Sequence, residues 1–332
     1  MFLNNTGQSV KSFSLKQMIG IFFDLFLSLC VLCARISVVE AKNSHEDVYN
    51  YTEYPLARNN VKLHLDRITK NGEKQNKNIL LIHGVTYSSH EFDINYEDYS
   101  LVRALVNEGY SAWRLDIAGF GRSEAVADGF MPNSDYAAED INAAVEKIIQ
   151  ITGQEKIDLL GWSWGTVTAS RFASKHPERL NKLILYAPIL SGLGKCDADE
   201  PFHLNSWEHA VDDFQSDKNG NIDYSITDPI LVELWASGCW HYDGDKSPNG
   251  GRRDICVDNS QKLIDLSRLK TPTLLIYGDK DPYLNYQLLE TEQALLPKGS
   301  SVKSIKGGAH AVYVEKPHHK NFQSELIRFL KN

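Results

Sequence analysis

Along most of the chain after Tyr51, short apolar runs alternate with segments in which apolar residues recur every three or four positions. The runs have the length of strands and are bounded by glycine, proline or polar residues, so we predict that they are buried strands. These strands cover residues 78–83, 111–117, 157–160, 182–187, 272–277 and 302–305. Helices are predicted between and after them, at residues 101–106, 141–149, 166–175, 287–296 and 322–330.

The second of these helices has the most regular pattern. Its apolar residues share one face, and Gly153 is placed to end it in a left-handed conformation. The face consists of Ile141, Ala144, Val145, Ile148 and Ile149. Strands that alternate with helices in this way predict an α/β fold, with a mostly parallel sheet and helices on both faces.

The alternation breaks down between residues 190 and 267, where turn-forming residues and acidic clusters prevail. We therefore predict that residues 42–189 and 268–332 form one core, and that residues 190–267 are inserted into it as a cap. An inserted segment of this kind can lie over a site at the edge of the core sheet, where it would control which substrates enter.

Three cysteines of the predicted cap, Cys196, Cys239 and Cys256, allow one disulfide in three pairings. We predict the pair Cys239–Cys256. Cys239 and His241 lack the second ligand pair of a zinc site, and residues 217–223 misplace the glycine of a calcium loop, so that a turn is the simpler interpretation. No metal site is therefore predicted.

The first residues of the chain differ from the rest. Two lysines precede an apolar run at residues 18–34, which is shorter than the roughly 20 residues of a membrane span and contains Asp24. A small-x-small sequence ends at Ala41 and fits a cleavage site. Residues 1–41 are therefore predicted to be a signal peptide, and the protein to be secreted or periplasmic. An uncleaved or lipid-linked anchor is the alternative, and it is the one predicted route to a membrane.

Composition narrows the class of partner. Hydrophobic residues make up 42% of the 332 residues and charged residues 23%, which allows a substantial core and argues against disorder. The net charge is −8, with no basic block, so nucleic acid is not expected as a partner. An acidic pocket rim would favour neutral or cationic substrates. The sequence does not indicate an oligomeric state.

The sequence Gly161-Trp162-Ser163-Trp164-Gly165 directly follows a predicted strand and opens a helix. A serine on such a tight turn is held in a strained conformation that presents its hydroxyl at the sheet edge. The helix N-terminus places backbone N–H groups and a partial positive charge beside it. Ser163 is thus a candidate nucleophile.

A serine hydroxyl needs a base and an orienting carboxylate to react. His310 lies in a glycine-rich loop after the strand at 302–305, and Asp281 follows the strand at 272–277. Asp279 is the competing carboxylate. His83 is expected to shape its own loop and not to act as the base.

Two backbone amides are candidates for an oxyanion hole. Trp164 N–H comes directly after the nucleophile, and Val85 N–H lies in the loop after the strand at 78–83. Tyr87 could add its hydroxyl to this oxyanion hole. Aromatic residues near these positions and in the cap are predicted to line a substrate pocket. The candidates are Tyr87, Trp162, Trp207, Trp235 and Trp240.

Several motifs together resemble the α/β-hydrolase superfamily of serine hydrolases that carry a cap. They are LLIHG at 80–84, DIAGFGRS at 116–123, GWSWG at 161–165, HPERL at 176–180, LLIYGDKD at 274–281 and GGAHAVYVEKP at 307–317. The resemblance implies an eight-stranded sheet and the triad Ser163, Asp281 and His310. It also implies oxyanion donors at Val85 and Trp164.

The expected activity is hydrolysis of a carboxylic ester, or of a related acyl bond in a thioester, lactone or amide, in a small-molecule acyl substrate and without a cofactor. A serine nucleophile sets the chain apart from the branches of this fold that use aspartate. SWG followed by HPERL also resembles proline iminopeptidases, whose HGGPG loop is replaced here by HGVTY at residues 83–87. An exopeptidase, an acyltransferase with the same triad and a non-catalytic binding protein are the alternatives.

Overall fold

The computed structural model describes residues 48–214 and 221–332, and residues 50–332 form one compact unit. Its strands, in chain order, are β1 (Tyr49–Arg58), β2 (Val61–Lys70), β3 (Lys77–Ile82), β4 (Tyr110–Asp116), β5 (Ile157–Trp162), β6 (Leu180–Tyr186), β7 (Phe202–Leu204), β8 (Lys246–Pro248), β9 (Thr273–Gly278) and β10 (Ser301–Ile305). Strands β7 and β8 form a separate antiparallel pair. The others join into one eight-stranded sheet in the order β1-β2-β4-β3-β5-β6-β9-β10.

Most neighbours in this sheet run parallel, as predicted. Strand β3 is parallel to β4 and β5, and the parallel pairing continues through β6 and β9 to β10. Strand β2 is antiparallel to β4. A two-residue turn, Asn59-Asn60, joins β1 to β2, and its residues have φ of 50° and 63°. Positive φ at both positions is typical of a tight hairpin, which the apolar runs did not predict.

Every residue of β4 and β5 is buried, because helices cover both faces of the sheet. The helices are α1 (Leu101–Asn107), α2 (Ser134–Thr152), α3 (Trp164–Lys175), α4 (Trp207–Ala210), α5 (Pro229–Tyr242), α6 (Gly250–Ile255), α7 (Tyr286–Glu292) and α8 (His319–Lys331). The regular helix of the sequence is α2. Asn133 caps its first turn by accepting the amides of Asp135 and Tyr136, and Gly153 ends it at φ 71°.

The segment between β6 and β9 contains α4, α5, α6 and the β7–β8 pair, where the sequence indicated mainly turns. Helix α5 begins at Asp228, whose side chain accepts the Ile230 amide, followed by Pro229 in the first turn. Its apolar residues include both buried Trp235 and half-exposed Ile230, so no single apolar face is visible in the sequence. The limits of the cap at residues 190 and 267 stay a prediction.

The disulfide joins Cys196 to Cys256, with their Cα atoms 5.3 Å apart, and Cys239 is free and buried. The predicted pair Cys239–Cys256 is therefore wrong. Cys239 lies on the buried side of α5, whereas Cys256 directly follows α6 and faces the loop that carries Cys196.

Within residues 48–214 and 221–332, no helix is long and apolar enough to cross a bilayer. The predicted signal peptide, residues 1–41, lies outside the described residues, and so does most of the predicted turn at 217–223.

Candidate active site

Ser163 occupies the turn between β5 and α3 with φ 55° and ψ −124°, a conformation that L-residues rarely adopt. Its amide donates to the carbonyl of Tyr186 at 3.0 Å, which fixes the turn to β6. The flanking positions must be glycine, because neighbouring backbone atoms leave no room for a Cβ. A Cβ on Gly161 would lie 2.2 Å from the Gly165 carbonyl oxygen, and one on Gly165 would lie 2.5 Å from the Ile82 carbonyl oxygen. The glycines therefore let this strained turn form.

His310 and Asp281 form a buried pair beside this turn. The His310 Nδ1–H donates to Asp281 Oδ2 at 2.9 Å, and the Tyr283 amide donates to Asp281 Oδ1 at 2.9 Å. Since the carboxylate can only accept, the imidazole proton is on Nδ1 and Nε2 is free to act as a base. Asp279 does not reach the histidine: its Oδ1 accepts the Gly307 amide at 2.7 Å.

The His310 loop is held by close backbone packing. A Cβ on Gly278, at the end of β9, would lie 2.1 Å from the Gly308 carbonyl oxygen. The Tyr186 hydroxyl donates to the His310 carbonyl at 2.7 Å, and the Ala309 amide donates to Glu315 Oε1 at 2.8 Å. These contacts bring the ends of β6, β9 and β10 together at one sheet edge.

The pH dependence of turnover should report on this histidine. Burial lowers the pKa of His310, but the charge and hydrogen bond of Asp281, aided by Asp213 and Glu315, outweigh it and raise the pKa above 6.5. A base must be neutral, so kcat/KM should rise with pH through a midpoint above 6.5. A kcat/KM profile over pH 5–9 measures this midpoint. A midpoint below 6.5 would contradict the role of the Asp281 pair.

The loop after β3 brings a second backbone amide to the serine. Gly84 packs so closely that a Cβ there would lie 3.0 Å from Ser163 Cβ. His83 is fully buried and shapes this loop: its Nε2 accepts the Ile117 amide at 3.1 Å, and Nδ1 donates to the Gly84 carbonyl at 2.7 Å. Within the described residues, the amides of Val85 and Trp164 donate to no protein acceptor.

Two buried carboxylates hold the next part of this loop in place. The sequence patterns did not predict this role for them. Asp116, at the end of β4, accepts the Ser89 amide at 2.9 Å. Asp243, just after α5, accepts the Ser88 amide at 3.1 Å and the Gly121 amide at 3.0 Å. Asp243 thus ties the segment predicted as a cap to two core loops, a long-range contact that leaves no local sequence signal.

A cavity of about 660 Å³ opens at this edge, and Ser163, His310 and Val85 all line it. Two predicted pocket residues, Tyr87 and Trp162, line it too. The other predicted tryptophans do not. Trp235 is buried behind Trp162, with ring centroids 5.9 Å apart, because α5 turns it into the protein.

Trp207 and Trp240 lie on the solvent side of α4 and α5, where their exposed fractions are 39% and 41%. They are therefore removed from the cavity wall. Trp164 is fully buried and its indole N–H donates to the Ser134 hydroxyl at 2.8 Å, so its side chain belongs to the core. Only its backbone is placed for a role at the site.

Polar side chains that were not predicted also line the cavity: Glu91, Asp212, Asp213, Arg252 and Asn259. Burial raises the pKa of Glu91 well above its ordinary value, and its Oε1 has no partner among the described residues. No group of three or more metal-binding side chains occurs in the described part of the chain. The cavity therefore combines an apolar wall with several charged or ionisable groups.

The chain is similar to known proteins in sequence and in fold. The profile of the Hydrolase_4 family, described as serine aminopeptidase, S33, matches residues 73–317. A pimeloyl-acyl-carrier-protein methyl ester esterase of Klebsiella pneumoniae is 22% identical over 69% of this chain and 87% of its own. A non-heme chloroperoxidase of Kitasatospora aureofaciens is 23% identical over 69% of this chain and 85% of its own.

Among solved structures, a bromoperoxidase from Bacillus anthracis has a TM-score of 0.60 and 21% identity, covering 85% of this chain and all (100%) of its own. This likeness shows the fold. The family profile extends over well more than half of the chain, from before β3 to the loop that carries His310. The chain therefore belongs to the Hydrolase_4 family of α/β-hydrolases.

Proposed function

We propose that this α/β-hydrolase cleaves a carboxylic ester through an acyl-enzyme on Ser163. The observation that carries the proposal is the buried His310–Asp281 pair at 2.9 Å, with His310 lining the same cavity as a serine whose backbone is strained at φ 55°. A nucleophile, an oriented base and unpaired amides at one sheet edge are the groups that acyl transfer requires.

Ser163 Oγ attacks the acyl carbon while His310 Nε2 takes the hydroxyl proton. The new negative charge on the carbonyl oxygen accepts hydrogen bonds from the amides of Val85 and Trp164. The tetrahedral species collapses when His310 gives its proton to the departing alcohol. Water then attacks the acyl-enzyme, with His310 again as the base, and releases the acid and Ser163. These steps need no cofactor.

The proposal includes the role of residues 190–267 as a cap and of residues 1–41 as a secretory signal. Leu193, Cys196 and Arg252 line the cavity, which supports a cap that forms part of the substrate pocket. The Cys196–Cys256 disulfide supports an oxidising compartment, since such bonds are rare in the cytosol.

A matched substrate panel tests this function. We expect p-nitrophenyl acetate and butyrate to be hydrolysed with a kcat/KM at least about 100-fold above that for alanine p-nitroanilide and proline p-nitroanilide. The arylamides represent the exopeptidase alternative, which the description of the family profile favours. Preferred cleavage of the arylamides would replace the ester proposal. Ester formation from added alcohol in preference to hydrolysis would indicate an acyltransferase.

A further inference from the structure

Arg252 places a positive charge in the wall of the catalytic cavity. Its helix, α6, is seated tightly on the core, because a Cβ on Gly251 would lie 2.4 Å from the Trp164 ring. The Cys196–Cys256 disulfide holds the other end of the helix. The position of the guanidinium is therefore set by the scaffold.

The guanidinium has polar contacts, but no close anion among the residues that the structure describes. Its Nη2 donates to the Thr86 hydroxyl and lies 3.4 Å from His209 Nε2. Among residues 48–214 and 221–332, no carboxylate lies within 4.0 Å of it. Asp212 and Asp197 attract it only from farther away. Partly buried charges in proteins are usually paired, so an unpaired one in a cavity is a natural place for an anion to bind.

The cavity acids among the described residues form no close ion pair with this charge. Burial raises the pKa of both Glu91 and Asp213, which favours their neutral forms. Asp212 also lines the cavity, but its side chain is half-exposed, and its carboxylate lies 4.0 Å from His209 Nε2 and not within ion-pair distance of Arg252. Burial also lowers the pKa of Arg252, as expected for a cation that lacks a close counter-charge.

The site is close to the proposed reaction centre. Thr86, which accepts from Arg252, directly follows Val85, the proposed oxyanion donor. An anionic group held by Arg252 would thus belong to the same small molecule whose ester lies at Ser163. A planar guanidinium matches a carboxylate, which it can bind through two parallel hydrogen bonds.

We infer that Arg252 is a specificity-determining residue that binds a carboxylate on the substrate, so that the preferred substrates are esters carrying a second, free carboxylate. This inference rests on the proposed ester hydrolysis and names its substrate class. It differs from the expectation that an acidic pocket rim would favour neutral or cationic substrates. The carboxylate can belong to the acyl part or to the alcohol part of the ester.

Two substrate pairs distinguish these sources. Monomethyl adipate and methyl hexanoate differ by a carboxylate in the acyl part, and 4-acetoxybenzoate and phenyl acetate differ by one in the alcohol part. We expect Arg252→Gln to lower kcat/KM for the charged member of one pair at least about tenfold more than for its neutral partner, mainly through KM. Arg252→Lys should keep part of the preference because it keeps the charge.

Arg253→Gln is the matched control. The neighbouring Arg253 is exposed, and its guanidinium lies over the Phe130 ring, 4.7 Å from the centroid, outside the cavity wall. This change should leave the ratio of charged to neutral substrate unaltered. Equal losses for charged and neutral esters in both pairs with Arg252→Gln would overturn the inference.

A binding measurement separates failure of the anion site from failure of the proposed function. Adipate should raise the melting temperature of the wild-type protein and of Arg253→Gln. In Arg252→Gln, the Kd for adipate obtained from these shifts should be at least about tenfold higher. Equal shifts in the wild type and Arg252→Gln would overturn the anion site even if esters are hydrolysed. Loss of the shift only in Arg252→Gln would support the site even if neutral esters are not hydrolysed.

Discussion

Replacing Ser163 with alanine is expected to lower kcat for a short p-nitrophenyl ester by about 10⁴-fold or more. Ser163 supplies the atom that forms the acyl-enzyme, and no other residue can replace that bond. The fold should be unaffected, because alanine keeps the Cβ and the hydrogen bond from the residue-163 amide to the Tyr186 carbonyl. The melting temperature should therefore stay within about 2 °C of the wild type.

Ser174→Ala is the control for this change. Ser174 lies on α3, the helix that follows Ser163, and its hydroxyl donates to the Ser170 carbonyl at 2.8 Å, away from the cavity wall. Its loss should not alter kcat. If Ser163→Ala kept activity near that of the wild type, the assignment of the nucleophile would be wrong.

The second large effect is expected for Asp281→Asn, which should lower kcat by about 10³–10⁴-fold. An asparagine amide donating to His310 Nδ1 would move the imidazole proton to Nε2, and the base would then carry a proton where it must accept one. The shape of the side chain hardly changes, so the loss should appear in kcat and in the pH profile more than in the melting temperature.

Asp279→Asn provides a matched comparison two residues away. Asp279 accepts the Gly307 amide at 2.7 Å and makes no contact with His310, so an asparagine oxygen can take over its role. We expect kcat to stay within about threefold of the wild type. A large loss with Asp279→Asn and a small one with Asp281→Asn would transfer the orienting role to Asp279.

Local sequence patterns were sufficient to predict the site's backbone. The strand β5, the serine turn and α3 are consecutive, and the glycines at 161 and 165 are needed because other backbone atoms occupy the space of a Cβ. The parallel strands β3 to β6 are buried on both faces and therefore appear as apolar runs. The hairpin of β1 and β2 was missed because β1 alternates between exposed and half-buried positions.

Side-chain roles in the segment between β6 and β9 could not be predicted in the same way. The tryptophans at 207, 235 and 240 differ in exposure according to the helix face on which they lie, and α5 shows no regular apolar period. Asp243 and Arg252 act on loops more than 100 residues away in the chain, at Ser88 and Thr86. Contacts of this range depend on tertiary packing, which leaves no motif in the sequence.

The central claim is that Ser163 is an activated nucleophile in an acyl-transfer site. Incubation with a fluorophosphonate, followed by mass spectrometry of the digested protein, tests it most directly, because the reagent labels only serines that are already activated by a base. The account predicts one adduct per chain, on the peptide that contains Ser163, with labelling abolished in Ser163→Ala and strongly slowed in Asp281→Asn. An unlabelled wild-type protein, or an adduct at another residue, would contradict it.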